Sequence, residues 1–415
     1  MRIAFGFDIF YPETNGVITA TIDLARNLID MGHEVFFFVP DDREFKDDVI
    51  ENGIKIIHIK ALPTFIYKGI KIMPIWGWFL SKYFKKYNFD IIHNTSPWLM
   101  CMALNHAARR THTPVLATHH TLIDDPNYIK YALKSDTLAK LARKPMWQII
   151  FSPFFELVWM ATAPNKQTCE SVKSHMPFLD VRYVSNGIDI SKFDDAVCSG
   201  KLPKAISEEW LGKKTFIYVG RLGFEKAIDV AIKAFSIAHK KHPEAKFIIV
   251  GQGPAKNELK DMVRVNDLED SVLFTGMIPN TEVIDSRLMK RVNSFVTASL
   301  SENQSMTIIE AICSGTPVIC ADVYNMTSLV GPDAGWYFQP SNPEDMASKM
   351  IEALSNEEER DRKAANALKN KELYDGKKIA KQFEALYNEL LERKKSGFYV
   401  KKGKEKARYY NRNFT

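Results

Sequence analysis

Short hydrophobic runs alternate along the chain with longer segments in which hydrophobic residues recur every three or four positions. The short runs predict β-strands and the longer segments predict helices, because these are the side-chain periods of the two structures. Strands are predicted at 3–7, 35–39, 54–59, 91–93, 115–118 and 158–163, and then at 216–219, 247–250, 295–297 and 318–320. Strands that alternate with helices form parallel sheets. The pattern therefore predicts an α/β protein.

The segment between the first two strands shows the helical pattern clearly. Its apolar residues Ile18, Ile22, Ala25 and Ile29 share one face, and Gly32 follows as a terminator. Together with the flanking strands this segment forms a βαβ unit, which is the building block of Rossmann-like domains.

A polar stretch at 194–214 separates the two series of strands, and it contains two glycines and a proline. We predict an N-terminal Rossmann-like domain over 1–200 and a C-terminal one over 201–376. An amphipathic helix follows at 377–394, and its apolar face is compatible with packing on either domain. A basic tail occupies 395–415.

The composition is that of a soluble enzyme: of 415 residues, 46% are hydrophobic and 26% are charged. The five cysteines show no CxxC spacing, which argues against a disulfide framework or a zinc site. Residues 393–415 carry nine Lys or Arg and one acid, a net charge of +8. The whole chain has a net charge of +6, so the net charge of the remaining residues is −2. The basic character is therefore a property of the tail.

The sequence contains no uninterrupted apolar run of about 18 residues, the length needed to span a bilayer. The nearest candidate, 147–163, is interrupted by Gln148, Pro153 and Glu156, and we interpret it as a buried helix end followed by a strand. The N-terminus lacks the pattern of a signal peptide. We therefore expect a cytoplasmic protein.

Two loops place candidate ligand groups after predicted strands. Gly16 precedes the first helix, where backbone amides favour an anion, although such a turn is equally common as plain structure. It is not part of a GxGxxG motif, which argues against a nicotinamide cofactor. Arg221 and Lys226 follow strand 216–219 at the edge where α/β sheets bind ligands. They are suited to neutralise a diphosphate, and the alternative is solvated surface charge.

The segment 299–317 combines two carboxylates with a predicted helix start near Ser305 and a helix end at Gly315. Glu302 then lies in the loop before the helix and Glu310 within it, so the two can contact different parts of one ligand. The first amides of the helix, at Ser305, Met306 and Thr307, are placed to meet phosphate oxygens between them.

Taken together, these motifs resemble family 4 glycosyltransferases of the GT-B fold. The resemblance covers about residues 1–392, and its motifs occur in the family's order. They are Asn15-Gly16, Gly32-His33-Glu34-Val35, His119-His120-Thr121, Asn186-Gly187-Ile188-Asp189, Gly220-Arg221 with Lys226, Gly251-Gln252-Gly253, the Glu302-x7-Glu310 spacing and Gly315-Thr316-Pro317.

The resemblance implies two Rossmann-like domains facing across a cleft, with the C-terminal helix crossing back to the N-terminal domain. It also implies a retaining hexosyltransferase that uses a nucleotide sugar and needs no metal or other cofactor. His120 and Glu302 would be catalytic, with Glu302 on the transferred sugar, and one of the adjacent pair His119 and His120 is expected to pack in the core. The donor-binding residues would be Gly16, Arg221, Lys226, Gly251, Asn303, Gln304, Ser305, Met306, Thr307 and Glu310, of which Glu310 would bind the ribose.

The chain departs from the common family pattern at two places. It has Glu225-Lys226-Ala227 where many relatives have Glu-Lys-Gly, and Glu302-Asn303-Gln304-Ser305 where many have Glu-Gly-Phe-Gly. The second departure resembles the Ser-Glu-Thr-Gln variant of members that glycosylate membrane diacylglycerol. This departure favours 1,2-diacylglycerol as the acceptor and does not itself indicate the donor sugar. We expect a hexose, glucose from UDP-glucose in the first instance. A soluble sugar or other small molecule is the alternative acceptor.

Two segments in the first half mix basic and aromatic residues, which suits an anionic membrane surface. The predicted acceptor and membrane residues are Lys71, Trp76, Trp78, Lys82, Lys85, Lys86, Lys140, Arg143, Lys144 and Trp147. The alternative is that the aromatic residues are core and the lysines are merely solvated. The basic tail is either a further membrane contact or a disordered extension. We expect a peripheral protein on the inner face of the cell membrane.

Two other classes of protein fit less well. A nucleic-acid-binding protein would use the same basic residues, but it has no use for the Glu302-x7-Glu310 site. A non-catalytic nucleotide-binding module would be indicated by loss of His120 or Glu302, and both are present. The sequence does not determine the base of the donor, the number of sugars added or the oligomeric state.

Overall fold

A computed structural model of the chain describes residues 1–10, 15–42, 45–50, 53–63, 71–72, 74–120, 144–300 and 302–398. The chain forms two compact units. The first contains the described residues up to Ile188 and those from Gly376 onward, and the second contains Asp189–Asp375. Each unit has its own sheet, parallel or mainly parallel, and its own hydrophobic core.

The first unit is built on an eight-stranded sheet of order β10-β9-β8-β7-β1-β2-β4-β3. Its strands are β1 Arg2–Gly6, β2 Glu34–Pro40, β3 Val49–Ile50, β4 Ile54–Ile59, β7 Ile91–Asn94, β8 Val115–Thr118, β9 Met160–Ala163 and β10 Val181–Tyr183, and a separate hairpin pairs β5 Leu62–Pro63 with β6 Lys71–Ile72. All pairings in the large sheet are parallel except that of β3 with β4. The order reverses between β1 and β7, which makes the loops after these two strands the switch point.

In the described part of this unit, six helices accompany the sheet. They are α1 Gly16–Asp30, α2 Ser81–Tyr87, α3 Leu99–Thr111, α4 Ser152–Phe155, α5 Lys166–His175 and α13 Gly376–Lys395, with a π-helical turn at Trp147–Phe151 and a short 3-10 turn at Trp78–Leu80. Helix α13 packs against α1 and places Ile379, Phe383, Tyr387 and Leu390 in the core of the first unit. This confirms the expected return of the C-terminal helix to the N-terminal domain.

Ion pairs fix the outer face of α13. Glu389 accepts two bonds of 2.7 Å from Arg182, and Arg182 also pairs with Asp180. Arg393 contacts both Asp180 and Glu389. Such a bidentate, multi-residue network holds a helix in register better than an isolated surface pair.

The second unit has a six-stranded, all-parallel sheet of order β13-β12-β11-β14-β15-β16. Its strands are β11 Gly212–Val219, β12 Lys246–Val250, β13 Val272–Gly276, β14 Val292–Thr297, β15 Val318–Ala321 and β16 Gly335–Phe338. Its helices are α6 Ile228–Lys241, α7 Lys256–Val265, α8 Asn280–Asp285, α9 Met306–Cys313, α10 Tyr324–Val330, α11 Pro343–Ser355 and α12 Glu357–Asn370, with 3-10 turns at Ile190–Phe193, Glu208–Trp210, Phe224–Lys226, Met289–Arg291 and Lys371–Tyr374. In sequence order this arrangement is 3-2-1-4-5-6, that of a dinucleotide-binding Rossmann sheet, with its switch point between β11 and β14.

The structure divides the chain at Ile188, twelve residues before the predicted domain boundary at 200. Residues 189–200 belong to the second unit because hydrogen bonds tie them to it. Asp285 accepts from the Ser199 amide at 2.8 Å, the Gly200 amide donates to the Asp285 carbonyl, and Lys290 pairs with Asp195. A polar composition alone does not distinguish such an attached segment from a linker.

Within the described ranges, no helix is long and apolar enough to cross a membrane. The segment considered in the sequence for that role forms the helical stretch 147–155 and then β9, as predicted.

Candidate functional site

The loops on both sides of the switch point in the second unit carry the predicted donor-binding charges. Lys226 lies in the loop after β11 and Glu302 in the loop after β14, and the Lys226 Nζ is 2.5 Å from the Glu302 Oε1. Their side chains are 23% and 18% exposed. The structure thus brings together two residues 76 positions apart at the place where open α/β sheets bind ligands.

Arg221 lies beside this pair but is more open to solvent, with its side chain 61% exposed. Its guanidinium contacts Glu225, and its carbonyl accepts a hydrogen bond of 2.9 Å from the Tyr218 hydroxyl. Burial raises the pKa of Tyr218, so this hydroxyl remains a donor. Sequence reasoning missed both Tyr218 and Glu225, although Glu225 adjoins a predicted site residue.

Gly251 is required by close packing of two loops. Its φ of +143° is unfavourable for residues with a side chain, and a β-carbon at this position would overlap the carbonyl oxygen of Gly220. The Leu222 amide also donates to the Gln252 carbonyl at 2.9 Å. The loops after β11 and β12 therefore meet backbone to backbone, and this contact supports the loop that carries Arg221.

Helix α9 begins at Met306 after Ser305, and Gly315 follows its end at a φ of +70°, as predicted. In the described part of the chain, the Ser305 side chain makes no hydrogen bond to the first amides of the helix. Its hydroxyl lies 3.1 Å from that of Thr307. Residues Asn303, Gln304, Ser305 and Thr307 are half-buried and Met306 is buried. The backbone N–H groups at the start of α9 have the polarity that binds an anion.

Glu310 lies inside α9 and is only 4% exposed. Its Oε1 accepts a hydrogen bond of 2.9 Å from the Nδ2 of Asn280, the first residue of α8. Asn325, at the start of α10, donates at 3.0 Å to the backbone carbonyl of Glu302. Sequence reasoning missed both asparagines, because neither belongs to a motif and each reaches its partner only through the fold.

The adjacent histidines of the first unit have different environments. His119 is 3% exposed and packs edge-on against the rings of Phe151 and Phe155, with centroid distances of 5.6 and 5.4 Å. His120 is half-buried and lines a small pocket that also includes Thr21. Burial lowers the pKa of His120 to about 4, so its imidazole is neutral at physiological pH. His119 is thus the member of the pair that packs in the core.

A hydrogen-bonded chain of buried side chains lies beneath His120. His93, at the end of β7, has its Nδ1 2.7 Å from the Tyr387 hydroxyl of α13 and its Nε2 2.6 Å from the Thr118 hydroxyl. The Thr118 hydroxyl is 2.8 Å from that of Thr162. Burial lowers the pKa of His93 to about 3, with a smaller contribution from His120. This series of hydrogen bonds therefore contains a neutral imidazole, that of His93, which joins α13 to β8. Strand β8 ends just before His119 and His120.

Gly16 is the first residue of α1. The Asn15 side chain before it accepts hydrogen bonds of 3.0 Å from the amides of Val17 and Ile18. Two of the amides at this helix start thus already have a partner, and the predicted role of Gly16 beside a phosphate stays a prediction.

The structure describes most of the predicted membrane residues and places them in different environments. Trp76 and Trp78 are 62% and 63% exposed, and Lys82, Lys85, Lys86 and Lys144 are exposed as well. Lys71 lies in β6, and Lys140 and Arg143 lie outside the described residues. Trp147 corrects the prediction: it is 3% exposed and stacks on His175 at a centroid distance of 4.0 Å. It is a core residue, because the helical stretch at 147–155 turns this side chain inward.

In the part of the chain that the structure describes, no three His, Cys, Asp or Glu side chains are grouped as a metal site would require.

Known protein families and individual proteins are similar to this chain over most of its length. A family model described as glycosyltransferase family 4 matches residues 14–192, and a model described as glycosyl transferases group 1 matches residues 204–370. The chain is 28% identical over 359 residues to an alpha-monoglucosyldiacylglycerol synthase of Streptococcus pneumoniae, covering 85% of this chain and 78% of the relative. It is 25% identical over 402 residues to the synthase of that name from Acholeplasma laidlawii, covering 95% and 98%.

A similar solved structure is that of HepE from Anabaena in complex with UDP and glucose. It aligns with a TM-score of 0.72 at 17% identity and covers 94% of this chain and 100% of HepE. At this level of identity the likeness concerns the fold. The two family models, the relatives and the paired Rossmann-like sheets lead to one conclusion: the chain belongs to the family 4 glycosyltransferases and has the GT-B fold.

Proposed function

We propose that this glycosyltransferase moves a hexose, glucose from UDP-glucose in the first instance, to a diacylglycerol lipid with retention of the anomeric configuration. The observation that carries the donor assignment is the Lys226–Glu302 pair at the switch point of the second unit. The acceptor assignment is supported by the two relatives, whose names specify synthesis of monoglucosyldiacylglycerol. The choice of UDP is supported by the ligand of HepE.

In this proposal the diphosphate leaving group is stabilised by side chains and backbone amides. Lys226 and Arg221 supply two positive charges, and the start of α9 supplies amides that point toward an anion. Because these groups can stabilise a diphosphate leaving group in the place of a divalent cation, we propose that transfer needs no metal. Transfer rates that stay unchanged in excess EDTA are the expected result.

Glu302 and Glu310 are assigned to two different parts of the donor. We assign Glu302 to the transferred sugar and Glu310 to the ribose hydroxyls, because an ionised carboxylate accepts hydrogen bonds from hydroxyl groups. His120 is assigned to the transferred sugar as well. Its pKa of about 4 makes it a neutral hydrogen-bonding group and not a cation near neutral pH.

The proposed function is tested by a transfer assay with radiolabelled sugar nucleotides. UDP-glucose, UDP-galactose and GDP-mannose are each offered to mixed micelles of diacylglycerol and, separately, to water-soluble glycerol and glucose. We expect label in the lipid phase with UDP-glucose, and an α-linked product by NMR. Label only in the soluble acceptors would replace the lipid by the alternative acceptor class, and a β-linked product would contradict retention.

We also propose that the first unit contacts an anionic membrane through Trp76 and Trp78. These residues flank Gly77, which has a φ of +63° and whose missing side chain leaves room for the backbone of α3 at Ala103. The close contact fixes both tryptophans at the surface, near the exposed lysines of α2. Exposed tryptophan and lysine side chains are typical of membrane interfaces. The basic tail, of which residues 399–415 lie outside the described part, is proposed as a second contact.

The double change Trp76→Ala and Trp78→Ala tests this surface. Loss of two partly inserted indoles is expected to weaken binding to vesicles of phosphatidylglycerol and phosphatidylcholine by about 10-fold or more, while the unfolding temperature stays unchanged. Co-sedimentation at low salt measures the binding. Tyr183→Ala, an aromatic residue on β10 that is 48% exposed, is the matched control. Equal binding by the double variant and the wild type would remove Trp76 and Trp78 from the membrane surface.

A further inference from the structure

Asn280 is an exposed residue that reaches a buried carboxylate. It begins α8, shortly after β13, and its Nδ2 donates a hydrogen bond of 2.9 Å to the Oε1 of Glu310. Glu310 is 4% exposed and lies on α9, which follows β14. Strands β13 and β14 are not neighbours in the sheet, so this bond joins two elements that the sheet itself does not connect.

The terminal torsion angle of a glutamate side chain is only weakly restricted, so a hydrogen bond can decide how the carboxylate is oriented. A hydrogen bond to one oxygen selects one orientation of the carboxylate plane. A carboxylate has about four acceptor positions on its two oxygens, and the bond from Asn280 uses one of them. An amide is also neutral, and it therefore orients the carboxylate without cancelling its charge as a lysine or an arginine would.

The location of Asn280 connects this orientation with the ligand edge. Both Asn280 and the neighbouring Met277, which is 77% exposed, follow the carboxyl end of β13. The carboxyl ends of parallel strands form the edge at which α/β sheets bind nucleotides. The bond therefore places the Glu310 carboxylate beside the segment that follows β13 at this edge.

We infer that Asn280 is a positioning residue that orients the Glu310 carboxylate and thereby sets the preference of the donor site for an intact ribose diol. The inference rests on the proposed function, in which Glu310 binds the ribose of a nucleotide donor. It adds a specificity-determining residue on a separate loop.

The test compares binding of UDP with binding of 2′,3′-dideoxy-UDP to the full chain by calorimetry. Hydrogen bonds to a charged group contribute enough that the wild type should prefer UDP by about 10-fold to 100-fold. Asn280→Ala should reduce this preference by about 10-fold, while its affinity for the dideoxy compound stays at the wild-type value. Asn280→Asp should bind UDP more weakly than Asn280→Ala does, because a second carboxylate repels Glu310.

Two further variants complete the design. Glu310→Gln should lose most of the preference for UDP, and it reports on the ribose assignment itself. Asn257→Ala removes an exposed asparagine of α7 and should keep the full preference. If UDP does not bind the wild type, the GDP and ADP pairs replace it, and failure of all three would overturn the nucleotide-donor proposal together with the inference.

The outcomes separate the two ideas. If Glu310→Gln loses the preference but Asn280→Ala keeps it, the inference is wrong and the ribose assignment stands. If both variants keep the preference, the ribose assignment of Glu310 is wrong and the inference falls with it. If Asn280→Ala weakens binding of both nucleotides equally, the residue has a structural role only, which also overturns the inference.

Discussion

The two sheets have the same kind of switch point, but their side chains use it differently. In the first unit Asp8 bridges the loops after β1 and β7: it accepts hydrogen bonds of 2.6 Å from the Ser96 hydroxyl and from the Met100 amide at the start of α3. In the second unit the bridge is the ion pair of Lys226 with Glu302. One bridge consists of an acid with neutral donors and the other of two opposite charges.

Burial separates the two bridges further. Asp8 is 6% exposed, and burial raises its pKa to about 6. The side chains of Lys226 and Glu302 are each about a fifth exposed, so a ligand can compete for either charge. At the helix starts, Asn15 and Asp8 already occupy amides of α1 and α3, whereas the Ser305 side chain makes no such bond to α9 in the described structure. The two sheets thus have topologically equivalent edges at their switch points. The side chains of the second unit make its edge the better site for an anionic ligand.

The largest effect is expected from the charge pair of the second unit. Lys226→Ala should lower kcat/KM for sugar transfer by about 100-fold or more, on the order of 3 kcal/mol, because a charge at the leaving diphosphate is lost. The unfolding temperature should change little. Steady-state kinetics measure the effect, with Lys233→Ala as the control, since Lys233 is an exposed lysine of α6 that pairs with Asp229. A Lys226 variant with wild-type kinetics would mean that the second switch point is no more functional than the first.

The ionisation of Asp8 is expected to change the free energy of unfolding by a comparable amount, without an effect on catalysis. Its pKa is about 6 in the folded protein, above the ordinary value of 3.8, so the native state binds the proton more tightly than the unfolded chain does. The stability linked to this proton is fully present below pH 3.8 and is lost as the pH rises through 6. The loss amounts to about 3 kcal/mol at 1.36 kcal/mol per pKa unit.

Asp8→Asn isolates this contribution, because the amide does not titrate. Urea unfolding at pH 4, 5, 6 and 7 should show the wild type losing about 2.5 kcal/mol relative to the variant over this range. The affinity for UDP should be the same in both proteins. A constant difference in unfolding free energy between pH 4 and pH 7 would contradict the raised pKa.

The smallest effect concerns the backbone that follows Lys226. Ala227 has a φ of +49°, a left-handed conformation that costs a residue with a side chain roughly 1 kcal/mol. Ala227→Gly should therefore raise the unfolding free energy by up to about 1 kcal/mol, at the position where many family members have glycine. Ala365→Gly, at an exposed position inside α12, should have the opposite sign at about the same magnitude. Equal destabilisation by both changes would show that Ala227 is not strained.

Much of the fold was predictable, and the strands that were missed share a position. Strands β4 and β8 match their predictions to the residue, and the other predicted strands differ at their ends. The missed strands β3, β10, β13 and β16 lie at sheet edges, and the missed strands β5 and β6 form the two-stranded hairpin, in which each strand is an edge. An edge strand is paired and covered on one side only, so its sequence need not be a continuous hydrophobic run. Burial in the sheet centre is what produces the strong signal.

The sequence by itself determined the α/β class, the helix start at Ser305, the paired carboxylates and the family. These features depend on residues close together in the chain or on motifs in a fixed order. Only the tertiary structure decided that Trp147 is buried, that Asn280 holds Glu310 and that Tyr387 bonds to His93, 294 positions away. Such contacts are made by chain segments that the sheet order brings together, and a local pattern contains no information on which distant residue completes them.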